Sequence, residues 1–264
     1  RCWIYKGYGT THGPMAADAA IQQSCNHFFY TLGQRMRAER LVPWYRKFGI
    51  GVDTHCGLPE AVEGMLPTIA EGADGSARPE YEGVLMGIGQ GPISCTPLQA
   101  AAAYATIARG GYYINPTFIA VPGAKSAREQ GRVSYDLGLN RHAVDMALKG
   151  LDLGVNDDHG TSHHISLLKR ERIFNIDNVT VMGKSGTATA APHWIDRNDN
   201  GQVDDGEIVR HGDHAWFVGL MQRAGERRPA YAVAVIVEFG GSGGACAGPI
   251  ANQVLHAMRA EGYL

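Results

Sequence analysis

Lys184, Ser185, Gly186 and Thr187 stand together in the run VMGKSGTATAAP: one cation, two hydroxyls and a glycine. The glycine lets backbone or ligand come close, so the group suits a strand edge that reads an anion. A second polar triplet, Ser24-Cys25-Asn26, lies in AIQQSCNHFFYTLG. Its hydroxyl can pass a proton, and its amide offers both a donor and an acceptor. A third group, DRNDNGQVDDGE at residues 196–207, matches the calcium-loop pattern D-x-[DN]-x-[DN]-G-x-[ILV]-x-x-x-E at every defined position. Asp196, Asn198, Asn200 and Asp204 would supply side-chain oxygens, Gln202 its carbonyl, and Glu207 a bidentate carboxylate. Gly201 would make the sharp turn.

Elements must hold these groups in place. Ile21, Cys25, Phe28, Phe29, Leu32 and Met36 fall on roughly one helical stripe, which predicts two helices meeting at Ser24. TPLQAAAAYATIARGG predicts a well-marked helix: Thr96 caps it, Pro97 takes the first position, Gln99 completes a capping box and Gly110–Gly111 end it. Its alanine-rich body should be buried. Residues 140–153 read as another helix. DNVTVMGKSGTAT, HAWFVGL and PAYAVAVIVEF read as three consecutive strands. A closing helix carries Ile250, Val254, Leu255 and Met258 at helical spacing. The expected class is therefore mixed α/β, an antiparallel sheet flanked by helices, as one domain over residues 1–264 with an inserted calcium-loop-like segment at 193–211. Pro192 and the flanking strands argue against the paired helices of a calcium sensor.

Composition excludes several classes. With 264 residues, 44% hydrophobic and 19% charged, the chain can bury a full core, and disorder is not expected. A net charge of −2 without a Lys/Arg-rich block discounts nucleic-acid binding. No apolar run is long enough to span a bilayer. The start, RCWIYKGYG, reads as a piece of a longer or processed chain. Five scattered cysteines, without C-x-x-C spacing, indicate neither a zinc site nor a dense disulfide framework. His159, His163 and His164 invite a zinc reading. Adjacent His163 and His164 point apart on most backbones, however, and no ligand quartet is evident, so none is expected there.

Order and setting make the polar triplets more specific. Ser24-Cys25-Asn26 precedes FGIG, GLPEAVEG, GIGQGPISCTPLQAAAAYATIARGG and HGTS; then come Lys184-Ser185-Gly186-Thr187, HAWFVG and GGSGGACAGPIA. This text resembles the transpeptidase domain of penicillin-binding proteins, especially the monofunctional elongation-type enzymes, along nearly the whole chain. The resemblance implies a serine β-lactamase and D,D-transpeptidase-like fold and peptidoglycan cross-linking, with no catalytic cofactor. Implied ligands are the stem peptide and β-lactams, and an implied partner is a cell-wall polymerase. The parent protein would be anchored in the inner membrane and face the periplasm or the outside.

That family converges three motifs, S-x-x-K, S-x-N and K-[ST]-G. By resemblance Ser24 and Asn26 form the second, and Lys184, Ser185 and Gly186 the third. Ser24 would relay a proton to the leaving amine, aided by the field of Lys184, and Asn26 would hold the substrate's backbone amide. Ser185 and Thr187 would bind the terminal carboxylate, and the Thr187 N–H would face the oxyanion. The nucleophile of S-x-x-K, with its helix and the first strands of the sheet, is expected upstream of residue 1. The string Ser166-Leu167-Leu168-Lys169 lies between the other two motifs and reads as ordinary helical spacing.

Plain structural readings stand beside these. Ser24 could cap a helix, Asn26 sit in a turn, Lys184 end a solvated strand and residues 196–207 form an acidic hairpin connection. Two other functions compete with the enzyme. One is a catalytically silent module that keeps the peptide-reading edge and a structural calcium loop; the other is a calcium-loaded interaction domain, which leaves Ser24 and Lys184 unexplained.

Overall fold

Ser24 takes a left-handed backbone conformation, φ 53°, and the turn around it separates α2 (Ala17–Gln22) from α3 (Asn26–Lys47). Non-glycine residues enter that region at a cost of about 1–2 kcal/mol, so the tertiary packing must hold the turn in place. The two predicted helices do meet at this serine. The structure, a computed structural model, describes residues 2–68, 79–125, 131–166 and 170–264. Of the Ser166–Lys169 string, residues 167–169 lie outside the described residues.

A short α1 (Trp3–Tyr8) precedes α2, and α3 bends at Arg37, φ 61°. Next come α4 (Pro79–Met86) and α5 (Pro97–Ala108). The α5 start is the predicted capping box: Thr96 Oγ1 accepts from Gln99 N–H at 3.2 Å, and Gln99 Oε1 accepts from Thr96 N–H at 3.0 Å. Fully buried Gln99 also donates to the carbonyls of Val52 and Glu63, which ties the glycine-rich segment to this helix. Strands β1 (Tyr112–Ile114) and β2 (Ser134–Asp136) pair antiparallel, and α6 (Arg141–Asn156) begins at Asn140, whose side chain caps Ala143 N–H.

The three predicted strands are β3 (Val179–Thr189), β6 (Asp213–Arg223) and β7 (Tyr231–Val237), antiparallel in the order β3-β6-β7. Between β3 and β6, β4 (His193–Trp194) and β5 (Ile208–Arg210) pair as a small hairpin. A π-helical turn, Gly243–Ala247, runs into α7 (Gly248–Ala260). Side chains along a strand alternate between faces. Phe217 and Met221 join Ala251 and Leu255 of α7, while Leu220 joins Ala108 of α5 and Leu151 of α6. The sheet therefore lies between α7 and the α5–α6 pair, the layering expected from the sequence.

Periodicity placed half of the α7 stripe: Leu255 is buried and Met258 packs on the same core. Ile250 and Val254 are 39% and 37% exposed, whereas Ala247, Ala251 and Leu255 are fully buried. Leu32, placed on the apolar stripe of α3, is also exposed. All five cysteines are free thiols. Among the described residues no helix is long and apolar enough to cross a membrane.

Candidate active site

Strand β3 pairs with β6 along one side, and its other edge is unpaired among the described residues. Lys184, Ser185, Gly186 and Thr187 lie on this strand, opposite Val218, Phe217, Trp216 and Ala215 of β6. Close approach of glycines sets its position. A Cβ on Gly154 of α6 would come within 3.0 Å of the Gly183 carbonyl oxygen. On the other side, a Cβ on Gly243 would fall 2.3 Å from the carbonyl oxygens of both Gly186 and Trp216.

Thr161 gathers the separated motifs. Its N–H and Oγ1 donate to the Gln22 carbonyl at 3.2 and 3.4 Å, two residues before Ser24, and its Oγ1 accepts from Lys184 Nζ at 3.3 Å. The turn holding Ser24, just ahead of Asn26 at the start of α3, and the ammonium of Lys184 thus share one bridging residue. Lys184 Nζ also donates to the Ser185 carbonyl at 2.9 Å. Burial lowers the Lys184 pKa to about 8, because the charged form loses hydration that two neutral acceptors restore only in part.

Neighbouring Ser162, fully buried, accepts from Ser185 N–H at 3.0 Å, and Ser185 Oγ donates to the Thr161 carbonyl at 3.4 Å. Thr187 is exposed, and its carbonyl accepts from Gln90 Nε2 at 3.1 Å. Gln22 Nε2 donates to Asp157 Oδ1 at 2.7 Å, fastening α2 to the start of the Thr161 loop. Thr161, Ser162, Gln90 and Gln22 had no role in the sequence reading. The HGTS and GIGQG strings that hold three of them were visible as text, but their contacts cross about 23 to 139 positions of chain and no local pattern encodes them.

Two groups of metal-capable donors converge among the described residues. Cys2, His12 and Cys25 bring their donor atoms within 4.8 Å of one another, with Cys2 Sγ 3.6 Å from His12 Nδ1. The buried His12 Nε2 has no hydrogen-bond partner. This thiol and imidazole set could hold a metal ion, and its Cys25 follows Ser24 directly in the chain. The scattered cysteine spacing gave no indication of this group; its donors come together because the segment after α1 returns to the α2–α3 turn. The second group is Asp158, His163 and His164.

The calcium-pattern residues lie at the tip of the β4–β5 hairpin. Asp196 accepts from Asn200 N–H and Gly201 N–H at 3.2 and 2.7 Å, and the amides of Asn198 and Asn200 both donate to Asp204 Oδ2 at 2.8 and 2.7 Å. Glu207 is 3% exposed; its two oxygens accept from Arg197 N–H and Asp204 N–H, each at 2.9 Å. Gln202 N–H donates to Asn200 Oδ1 at 2.7 Å. Hydrogen bonds to backbone N–H groups hold the Asp196 carboxyl below its usual range, and those from Asn198 and Asn200 do the same for Asp204.

An antiparallel sheet flanked by helices in this order is the fold of the penicillin-binding and β-lactamase-like class, to which the solved transpeptidase domains it resembles belong. The chain belongs to the family described as penicillin binding protein transpeptidase domain, whose profile matches residues 1–256. It is 29% identical over 252 residues to the peptidoglycan D,D-transpeptidase MrdA of Haemophilus influenzae, covering 93% of this chain and 36% of that protein. Among solved structures it resembles penicillin-binding protein 2 of Helicobacter pylori in complex with MreC, with a TM-score of 0.70 and 23% identity over 96% of this chain and 41% of the other. A chain from a peptidoglycan synthase complex, described as coordinating polymerization and crosslinking, matches with a TM-score of 0.67 and 27% identity over 93% of this chain and 38% of its own. The chain thus spans little more than a third of the length of its curated relative.

Proposed function

We propose that the chain supplies the peptide-reading and proton-relaying part of a D,D-transpeptidase that cross-links peptidoglycan in the extracytoplasmic space, in a parent anchored in the inner membrane. The observation that supports this reading is the Thr161 bridge, which links the Gln22 carbonyl, two residues before Ser24, to the Lys184 ammonium on β3. A D-Ala-D-Ala donor would lie along the edge of β3, its carboxylate on the Ser185 and Thr187 hydroxyls at Gly186 and its backbone amide on Asn26. The acylating serine would be that of the family's S-x-x-K motif, in the parent protein. As the tetrahedral intermediate collapses, Ser24 passes a proton to the leaving D-Ala amine, and the Lys184 charge favours that transfer. A cell-wall polymerase and a protein like the MreC bound to the Helicobacter pylori relative are the expected partners of the parent. The test is covalent labelling: full-length protein should form a stable adduct with a fluorescent penicillin that excess unlabelled β-lactam blocks. A folded full-length protein that takes no label would leave the silent module as the correct reading.

The hairpin tip favours a second, structural role. Asp196, Asn198, Asn200, Gln202, Asp204 and Glu207 would clamp a calcium ion. The Asp196, Asp204 and Glu207 carboxylates keep lone pairs beyond the hydrogen bonds they now accept, which is what a cation at the tip requires. With a Kd of about 0.1–1 mM, typical of extracellular modules, 5 mM calcium should raise the melting temperature by roughly 3 °C. Asp196→Asn should abolish the shift; a melting curve indifferent to calcium rejects the clamp.

A further inference from the structure

His163 is buried, and its Nδ1 lies 2.8 Å from the carbonyl oxygen of Val155. A carbonyl only accepts, so Nδ1 carries the hydrogen and the lone pair of the neutral ring sits on Nε2. The partner of Nε2 is Asp158 Oδ1 at 3.2 Å, another acceptor. Two acceptors at that distance require a positive centre, either a proton or a metal ion. Ligands bound tetrahedrally to zinc at about 2.0–2.1 Å lie roughly 3.3 Å apart, which matches this pair. The ring of His164 stands edge-on to that of His163, centroids 4.2 Å apart, and brings a third donor within 4.8 Å of the others. The adjacent histidines therefore converge, against the expectation from their spacing, while His159 turns instead to Asp157.

We propose that Asp158, His163 and His164 bind a zinc-class divalent cation that clamps the loop bearing Thr161 and Ser162. The backbone carbonyl on the far nitrogen of His163 is the usual outer support of a ligating imidazole. Asp158 is 68% exposed while the His163 side chain is 7% exposed, so the site opens to solvent on one side, which leaves a route of entry and room for water as fourth ligand. The chelate would close over residues 158–164, which contain the two residues that hold Lys184 and Ser185. This site is separate from Cys2, His12 and Cys25 and does not depend on the enzymatic reading.

The test uses full-length protein with Cys2→Ser and Cys25→Ser, which removes the thiol donors, after chelation and dialysis. Calorimetric titration with zinc should show one equivalent bound. His164→Gln and Asp158→Asn should each weaken it at least about tenfold. Cobalt at the site should give a spectrum without thiolate charge-transfer bands. No uptake in the parent double variant, or uptake unchanged by both substitutions, overturns the proposal. If the double variant does not fold, anomalous diffraction from zinc-soaked wild-type crystals decides: a zinc peak at bonding distance from His163 Nε2 supports the site, and its absence there overturns it.

Discussion

Lys184→Ala in the full-length protein should slow penicillin acylation by about 10²–10³-fold, the range seen when one group that stabilises developing charge is removed. The reason is local. The Lys184 ammonium is partly buried between Thr161 Oγ1 and the Ser185 carbonyl, where a charge acts through little water. Its pKa of about 8 gives the prediction a second readout. If the charged form assists acyl transfer, the acylation rate of the wild type should fall as the pH rises through about 8. Stability moves the other way. Between about 8 and the ordinary lysine value of 10.5 the unfolded chain holds this proton and the folded chain does not, so stability from this group rises with pH across that window. That contribution is lost again as the pH falls through about 8. Denaturant melts at several pH values should show the rise in the wild type and lose it in Lys184→Ala. Equal labelling of variant and wild type would remove Lys184 from the mechanism.

Gly243→Ala should be the most damaging single methyl group near the site. Its Cβ would lie 2.3 Å from two carbonyl oxygens and 2.8 Å from Gly186 N. These are backbone atoms of β3 and β6, which cannot swing aside as a side chain tip would. Either the π-helical turn lifts off the sheet or β3 shifts at Gly186, beside Lys184. Overpacking of this kind costs about 1–3 kcal/mol, so we expect a loss of roughly 3 kcal/mol in a denaturant melt, together with reduced penicillin labelling of the protein that remains folded. Gly225→Ala, where a Cβ meets nothing within 4 Å but φ is +84°, provides a control in which only local backbone strain is added. Wild-type stability in Gly243→Ala would mean that the turn and the strand are not in contact.

Much of the architecture was legible because it rests on local physics. The α5 helix announces itself through Thr96, Pro97 and Gln99, which satisfy orphan N–H groups at its first turn, and that box forms as written. The three strands of the main sheet follow from β-branched and aromatic runs broken by turn residues. The α7 stripe was half legible: Leu255 and Met258 join the core as read, whereas Ile250 and Val254 face outward and Ala251 takes the inner position. Short α1, α4, β1 and β2 carry too few residues for periodicity to register.

For the candidate site, residue types and motif order alone marked Ser24, Asn26 and Lys184 to Thr187 as chemistry-bearing, because hydroxyl, amide and ammonium groups announce what they can do wherever they stand. Which of them meet was decided only by the folded chain. Thr161 joins Gln22 to Lys184 across the packed faces of α2, α6 and β3, and Cys2, His12 and Cys25, like Asp158, His163 and His164, converge through loops that no spacing rule describes. The physical reason is the reach of the forces involved: capping, alternation and turn chemistry act within a few residues. Glycine-permitted close approach and side-chain bridges act between surfaces that are neighbours only after the core has formed.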